Sequence, residues 1–203
     1  MQKLPPEFYM SGDVVEAAKL LLGKLLVTRW EGVLTSGRIV EAEAYNGAAD
    51  RASHSYNNRR TARTEVQYSK GGKAYVYLCY GIHHLFNVTF APAGHPLVVL
   101  IRAIEPVGGI ETMLARAGKS SAGNRLGRGP GNVTRVLGIQ VAHNGVSLQR
   151  GISIYDDGYA LPAEMIGVSP RIGVDYAGED ALLPYRFYVK GNGSVSGPSK
   201  WRK

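Results

Sequence analysis

The alternation of apolar and polar positions predicts one short helix near the start of the chain and then mostly strands. Asp13 followed by Glu16 has the form of a helix N-cap with its capping-box partner. Val14, Ala17, Ala18 and Leu21 recur at helical spacing behind it, and Gly23 supplies the stop. Leu25 to Trp30 reads as a strand, Glu31-Gly32 as a tight turn, and Val33 onward as the returning arm of a hairpin. That arm continues through Ile39 to Tyr45. Strand side chains alternate between faces, so Ile39, Glu41, Glu43 and Tyr45 are expected on one face and Val40, Ala42 and Ala44 on the other.

A long polar stretch, Asn46 to Gly72, has no clear period and reads as a functional loop. Ala74 to Tyr80, Leu85 to Phe90 and Leu97 to Ile104 are rich in β-branched and aromatic residues, and their short connections favour antiparallel pairing. Ile110 to Ala117 is expected to be a helix ended by Gly118, and Lys119 to Asn132 a loop of Gly, Ser and Arg. A helix over Val133 to Leu137 and strands over Ile152 to Tyr155 and Arg186 to Lys190 complete the pattern. No repeat or linker divides it. The expectation is a single α+β domain over residues 1–203, built on an antiparallel sheet.

Composition narrows the function. A net charge of +8 suits a polyanionic partner. The lone Cys79 leaves no intramolecular disulfide and removes cysteine-based metal and iron–sulfur sites. Met1 to Met10 has no apolar stretch of signal-peptide type, and no run is long enough to span a bilayer, so no membrane role is expected. His54, His83, His84, His95 and His143 do not fall at metal-ligand spacing, and no metal or cofactor is expected. Gly118-Lys119-Ser120 resembles the end of a phosphate loop, but Met113 stands where the first glycine is required.

Three groups of residues remain as candidates for chemistry. Glu41 and Glu43 beside Tyr45 are either a solvated strand face or the carboxylates of a glycosidic-bond hydrolase. Gly127 to Gly131 either presents backbone N–H groups to a phosphate or is a mobile loop. Tyr75, Tyr77 and Tyr80, followed by Gly81, either pack the core or stack on bases. They lie near Arg59, Arg60, Arg63, Lys70 and Lys73, a combination typical of nucleic-acid binding.

Taken together, several separated blocks match one family in order and spacing. They are Ile39-Val-Glu-Ala-Glu-Ala-Tyr45, His54-Ser55, Tyr75-Val-Tyr-Leu-Cys-Tyr-Gly81, Asn87, Leu100-Ile-Arg102-Ala-Ile-Glu-Pro106, Gly129-Pro130 and Arg186-Phe-Tyr-Val189. The chain resembles the alkyladenine (3-methyladenine) DNA glycosylases of the mammalian methylpurine type, from about Leu4 to Gly197. The resemblance implies an α+β single domain with a curved, mixed, mainly antiparallel β-sheet and peripheral helices, and no metal or cofactor. It implies a monomeric, monofunctional base-excision enzyme acting on double-stranded DNA containing damaged purines, cytoplasmic at the nucleoid in a bacterium or nuclear in a eukaryote.

Roles carry over by position. Glu43 matches the base that activates water, Arg102 a residue that helps hold it, and the carbonyl of Ile172 its third ligand. Tyr45 and Tyr77 match aromatics that sandwich the flipped base, with His54 in the same pocket, and Asn87 a residue that rejects guanine by clashing with its amino group. Tyr80, with Gly81, matches the wedge that fills the hole in the duplex, and Arg59, Thr61 and Arg63 match a segment that touches DNA. A positive charge at Arg102 would hold Glu43 as a carboxylate. Three departures stand out: Asn132 where Lys is frequent, Gln67-Tyr68 where Met-Phe is usual, and Asn57-Asn58 where Gly is commoner. Two other readings use the same residues: a catalytically silent nucleic-acid-binding domain, and a nucleoside or carbohydrate hydrolase with Glu41 and Glu43 as its acid–base pair.

Overall fold

The structure is a computed structural model and describes residues 1–198. Nine strands form one sheet: β1 (Gln2–Lys3), β2 (Leu25–Trp30), β3 (Val33–Tyr45), β4 (Ala74–Cys79), β5 (His83–Phe90), β6 (Leu97–Gly108), β7 (Ile152–Asp156), β8 (Ile166–Ser169) and β9 (Arg186–Val189). Three α-helices accompany it: α1 (Val14–Leu21), α2 (Ile110–Ala117) and α3 (Pro130–Leu137). The strand order is β1-β7-β2-β3-β6-β5-β4, with β9 pairing β3 and β8, and these pairings are all antiparallel. Among the described residues no helix is long and apolar enough to cross a membrane.

Strand β3 organises the molecule. Over its first half it pairs with β2, as far as Leu25 opposite Arg38. Over Glu41 to Glu43 that edge passes to β9, while β6 lies along the other edge throughout. The alternation then divides the sheet into two faces. Ala42 and Ala44 of β3, Ala74 and Val76 of β4, Phe86 and Val88 of β5, and Val99 and Ile101 of β6 join the main core, which α1 covers with Val14, Ala17, Ala18 and Leu21. The opposite face carries Glu43, Leu100, Asn87 and Tyr75, which the register sets in one row across β3, β6, β5 and β4.

The expected faces of Ile39 and Val40 are corrected. Ile39 packs in the main core with Ala42, whereas Val40 packs with Ala103, Tyr188 and Val189 on the other side. The cause is a pair of bulges. Ile39 lies opposite Ile104, Glu41 opposite Ala103 and Ala42 opposite Ile101, so β3 gains a residue at Val40 and β6 regains it at Arg102. Each strand thereby turns two successive side chains, Val40 with Glu41 and Arg102 with Ala103, away from the main core.

Other boundaries differ from the pattern for local reasons. The helix α3 begins at Pro130, not Val133, because proline at the first helical position needs no N–H partner. The Asp13 carboxylate accepts the Glu16 N–H at 2.9 Å, but the Glu16 side chain turns to Lys19 instead of closing the capping box. The stretch from 46 to 72 holds three short 3-10 turns, Gly47–Ala49, Tyr56–Asn58 and Glu65–Tyr68. Asn57 and Asn58 sit at φ of 54° and 57°, left-handed positions that asparagine tolerates, so replacing glycine there keeps the turn.

Candidate active site

A cavity of about 910 Å³ opens on the face opposite the main core. Its floor is the strand row, with Tyr45, Leu100, Arg102, Asn87, Tyr75 and Tyr77 among its lining. The 51–67 loop and the 172–176 segment form further walls, and the 128–132 start of α3 lies at one side. Arg51, Arg59, Arg63, Arg102 and Arg128 line it, with no Asp or Glu among the lining residues. A concave, aromatic, strongly cationic space of this size suits a flat ring carried by a polyanion.

Glu43 lies one layer behind this lining and is 0% exposed. Its Oε1 accepts the Ile172 backbone N–H at 2.8 Å. Its Oε2 accepts the Tyr45 hydroxyl at 3.0 Å and an Arg102 N–H at 3.4 Å. All three donors belong to residues that line the cavity. Burial, then the Glu43 charge, pushes the Tyr45 hydroxyl well above its usual range, so it stays a donor. Burial works against the Arg102 charge, but Glu43 and Glu41 outweigh it and the guanidinium is held more firmly protonated than usual.

Glu41, also 0% exposed, is engaged differently. Four donors reach it: Arg102 Nε at 3.2 Å, Arg186 Nε at 2.6 Å, the Ser196 N–H at 2.7 Å and the Ser196 hydroxyl at 2.8 Å. Three of these four donors, from Arg186 and Ser196, belong to residues outside the cavity lining, whereas all three donors to Glu43 belong to residues within it. Glu41 thus ties β3 to β6, β9 and the segment at Ser196, an engagement that speaks against its pairing with Glu43 as acid and base.

The remaining site residues are brought to the same cavity. His54 Nδ1 lies 2.8 Å from Tyr75 Oη, and its ring meets the Tyr77 ring edge-on at 4.7 Å between centroids. Burial, followed by the Arg63 and Arg59 charges, pushes His54 down to about 4. Asn87 donates to the Tyr75 carbonyl at 3.1 Å, which fixes the direction of its amide. Arg63 stacks 4.6 Å over the Tyr77 ring. Thr61 is committed to its own turn through Thr64, at 2.8 Å from its N–H. Among the described residues no group of three His, Cys, Asp or Glu is arranged to hold a metal.

Tyr80 stands apart at the rim, 88% exposed. The Ile82 N–H closes onto the Cys79 carbonyl at 3.1 Å, and Tyr80 and Gly81 have φ of 50° and 73°, which makes a type I′ turn joining β4 to β5. The turn aims the phenol at solvent beside the cavity it lines.

Sequence reasoning missed Arg171, Asp50 and Tyr176. The Arg171 guanidinium forks onto Asp50 at 2.5 and 2.8 Å and covers the Tyr45 ring at 4.8 Å. It thus braces both the aromatic wall and the segment whose next residue, Ile172, holds Glu43. Tyr176, 70% exposed, bonds the Ala52 carbonyl at 3.0 Å and lines the cavity with Tyr80. No spacing rule marks these residues, because each lies in a loop far along the chain from its partner.

An ion-paired carboxylate behind an aromatic cavity with a cationic mouth is the form of a hydrolase that works on nucleic acid. The family model described as Methylpurine-DNA glycosylase (MPG) matches residues 7–193. A protein of Bacillus thuringiensis (strain Al Hakam) named "Putative 3-methyladenine DNA glycosylase" is 48% identical over 201 residues, spanning 95% of this chain and 98% of its own. Proteins of the same name from Bacillus cereus (strain G9842) and Bacillus anthracis (strain CDC 684 / NRRL 3495) are 48% and 47% identical over the same spans. The chain belongs to the methylpurine-DNA glycosylase family. It is a monofunctional DNA glycosylase for alkylated purines.

Proposed function

We propose that residues 1–203 act as one base-excision domain on double-stranded DNA. It flips a damaged purine into the cavity and hydrolyses the N-glycosidic bond with a water activated by Glu43. The observation that carries this reading is the unlike engagement of the two buried carboxylates. All three donors to Glu43 belong to residues that line the cavity, whereas three of the four on Glu41 come from Arg186 and Ser196, outside that lining. In this reading Glu43 takes the proton of the water, Arg102 and the Ile172 carbonyl help hold that water, and an abasic site is left.

Tyr45 and Tyr77 stack on the two faces of the base, worth about 1–3 kcal/mol per stacked base. His54 forms the pocket wall, and Asn87 rejects guanine through its amino group. Tyr80, carried by its turn with Gly81, fills the gap in the duplex, and Arg59, Thr61 and Arg63 meet the flanking strand. Flipping costs a few kcal/mol, least for damaged or mispaired bases. We assign 3-methyladenine, 7-methylguanine, hypoxanthine and ethenoadenine as the substrate class. The cationic alkylpurines leave without needing an acid to protonate them. His54, neutral at pH 7 because burial pushes it down to about 4, does not supply an acid for the neutral bases. We assign the enzyme as a monomer in the cytoplasm at the nucleoid, where its DNA substrate lies; the relatives named above are bacterial proteins.

The decisive experiment is Glu43→Gln against duplex oligonucleotides carrying 3-methyladenine or ethenoadenine, without added metal. Base release is expected to vanish while lesion binding persists. Release at the wild-type rate would remove Glu43 from the reaction.

A further inference from the structure

The turn between β4 and β5 stands between two hollows. On one side Tyr80 lines the base cavity. On the other Ile82, 70% exposed, lines a second cavity of about 310 Å³. His83 and Gly131 line both. A Cβ on residue 131 would stand 3.0 Å from His83 Nδ1, so glycine there lets the first turn of α3 pack against that ring and build the partition. The second cavity is cationic. Arg116 from the last turn of α2 and Arg135 from the last turn of α3 line it, with no Asp or Glu among the lining residues. Arg116 is half-buried, and its Nη1 donates to the Thr35 hydroxyl at 3.1 Å and the Val136 carbonyl at 3.0 Å, both neutral. Among the described residues neither arginine pairs with a carboxylate. Burial pushes Arg116 below its ordinary value, and no acidic neighbour offsets it. His84 adds a donor: its Nδ1 accepts the Val141 N–H at 3.3 Å, so the neutral ring carries its proton on Nε2. Helix C-termini favour cations, which accounts for one arginine at the end of each helix. It does not account for two of them lining one hollow with their charge uncompensated.

We propose that this second cavity seats a phosphate of the undamaged strand, with Arg116 and Arg135 as its ligands. The inference rests on the proposed function in one respect, that Tyr80 enters the stack where the flipped nucleotide stood. A wedge between two strands has one strand on each side. The base cavity takes the damaged strand, so the hollow on the Ile82 side faces the other. Guanidinium forks match phosphate oxygens and supply the charge that the lining leaves unbalanced. A phosphate contact carries no sequence information but fixes register. Here it holds the turn level with the lesion whatever the surrounding sequence.

The test places neutral methylphosphonate linkages, one at a time, along each strand of a lesion duplex. Binding is read by anisotropy with the full chain carrying Glu43→Gln, so that no base is released. One or two linkages of the undamaged strand are expected to weaken binding by roughly two- to tenfold, the scale of one hydrogen bond. Arg135 is exposed, so Arg135→Ala is expected to leave Tm unchanged. It should weaken binding of the all-phosphate duplex by a similar factor, lower the slope of log K against log salt by about 0.9, and abolish the effect of the sensitive linkage. Arg135→Lys is expected to keep the slope. An undamaged strand with no sensitive linkage overturns the proposal. So does a linkage that weakens binding equally with and without Arg135, or an Arg135→Ala loss coupled only to linkages of the damaged strand. If wild type releases no base from lesion duplex, the proposed function fails instead, and the linkage scan still decides what the second cavity holds.

Discussion

Tyr80 is expected to cost the fold stability that it returns on DNA. It occupies the first central position of a type I′ turn at φ 50°, where an L-residue with a bulky side chain is disfavoured by about 1–2 kcal/mol. At 88% exposure it buries almost nothing to offset that cost. Tyr80→Asn creates the Asn-Gly pair that such turns favour, so folding should become more stable by about 1 kcal/mol. For a chain of this size that raises Tm by roughly 2–4 °C. The same change removes the wedge. If the phenol stacks within the opened duplex, about 1–3 kcal/mol is lost, which is roughly a 5- to 140-fold weaker Kd.

Thermal unfolding of the free protein and anisotropy with a lesion duplex measure the two effects separately. The binding measurement is made in the Glu43→Gln background, so that no base is released during titration. Single-stranded DNA of the same sequence serves as control and should lose much less affinity, because it has no stack to fill. A higher Tm with unchanged duplex affinity would show that the turn is strained for some other end. A lower Tm would show that the phenol packs on the protein, against its exposure.

Three further outcomes are expected. Arg186→Met leaves the buried Glu41 short of its 2.6 Å partner, and breaking a buried pair costs about 3–5 kcal/mol, so Tm should fall by roughly 6–20 °C; a fall of less than 2 °C would show that Glu41 is not a clamp. His54 binds a proton near 6.5 when unfolded but only near 4 when folded, so the unfolded state binds more protons between these values and stability should decline as pH drops through that window; urea unfolding of His54→Gln should show a flatter profile there, and a parallel profile would refute the depression. Arg59→Ala should reduce the slope of log K against log salt by about 0.9, one released counterion, and an unchanged slope would show that Arg59 touches no phosphate.

The elements legible in the sequence were those set by local rules. The Asp13 cap, the spacing of Val14 to Leu21, and the alternation in Ala74 to Cys79 each depend on neighbours within a few residues, and the structure follows them. The pattern failed where a distant strand decided the outcome. Nothing between Ile39 and Ala42 announces the extra residue at Val40, because the bulge is compensated on β6 at Arg102. The two-residue β1 and the four-residue β8 are too short to carry a period. Gly129-Pro130 did carry a helix-start signal, since proline is favoured at the first helical position, but the glycines around it read as loop. The cavity residues Tyr45, His54, Tyr77, Asn87 and Arg102 were identifiable because their motifs are contiguous blocks. Arg171 was not, since its meaning lies in Asp50 and Tyr45, more than a hundred residues earlier.

The paired bulges also account for why two glutamates two residues apart on one strand face have unlike fates. The bulge at Arg102 turns that side chain and Ala103 to the same side as Glu41, and its guanidinium then reaches both carboxylates. A single cation cannot neutralise both, and the fold resolves this asymmetrically. Strand β9 brings Arg186 onto Glu41 at 2.6 Å, and Ser196 adds its N–H and its hydroxyl. Charge balance in the buried cluster is then two cations to two carboxylates, as burial demands. The shorter guanidinium contacts, at 2.6 and 3.2 Å, fall on Glu41, Arg102 contacts Glu43 only at 3.4 Å, and neutral donors from Tyr45 and Ile172 make up its coordination. The alternation of the strand alone would have made Glu41 and Glu43 equivalent, and it is the bulges and the β9 crossing that turn Glu41 toward Arg186 and Ser196 and leave Glu43 held by residues that line the cavity.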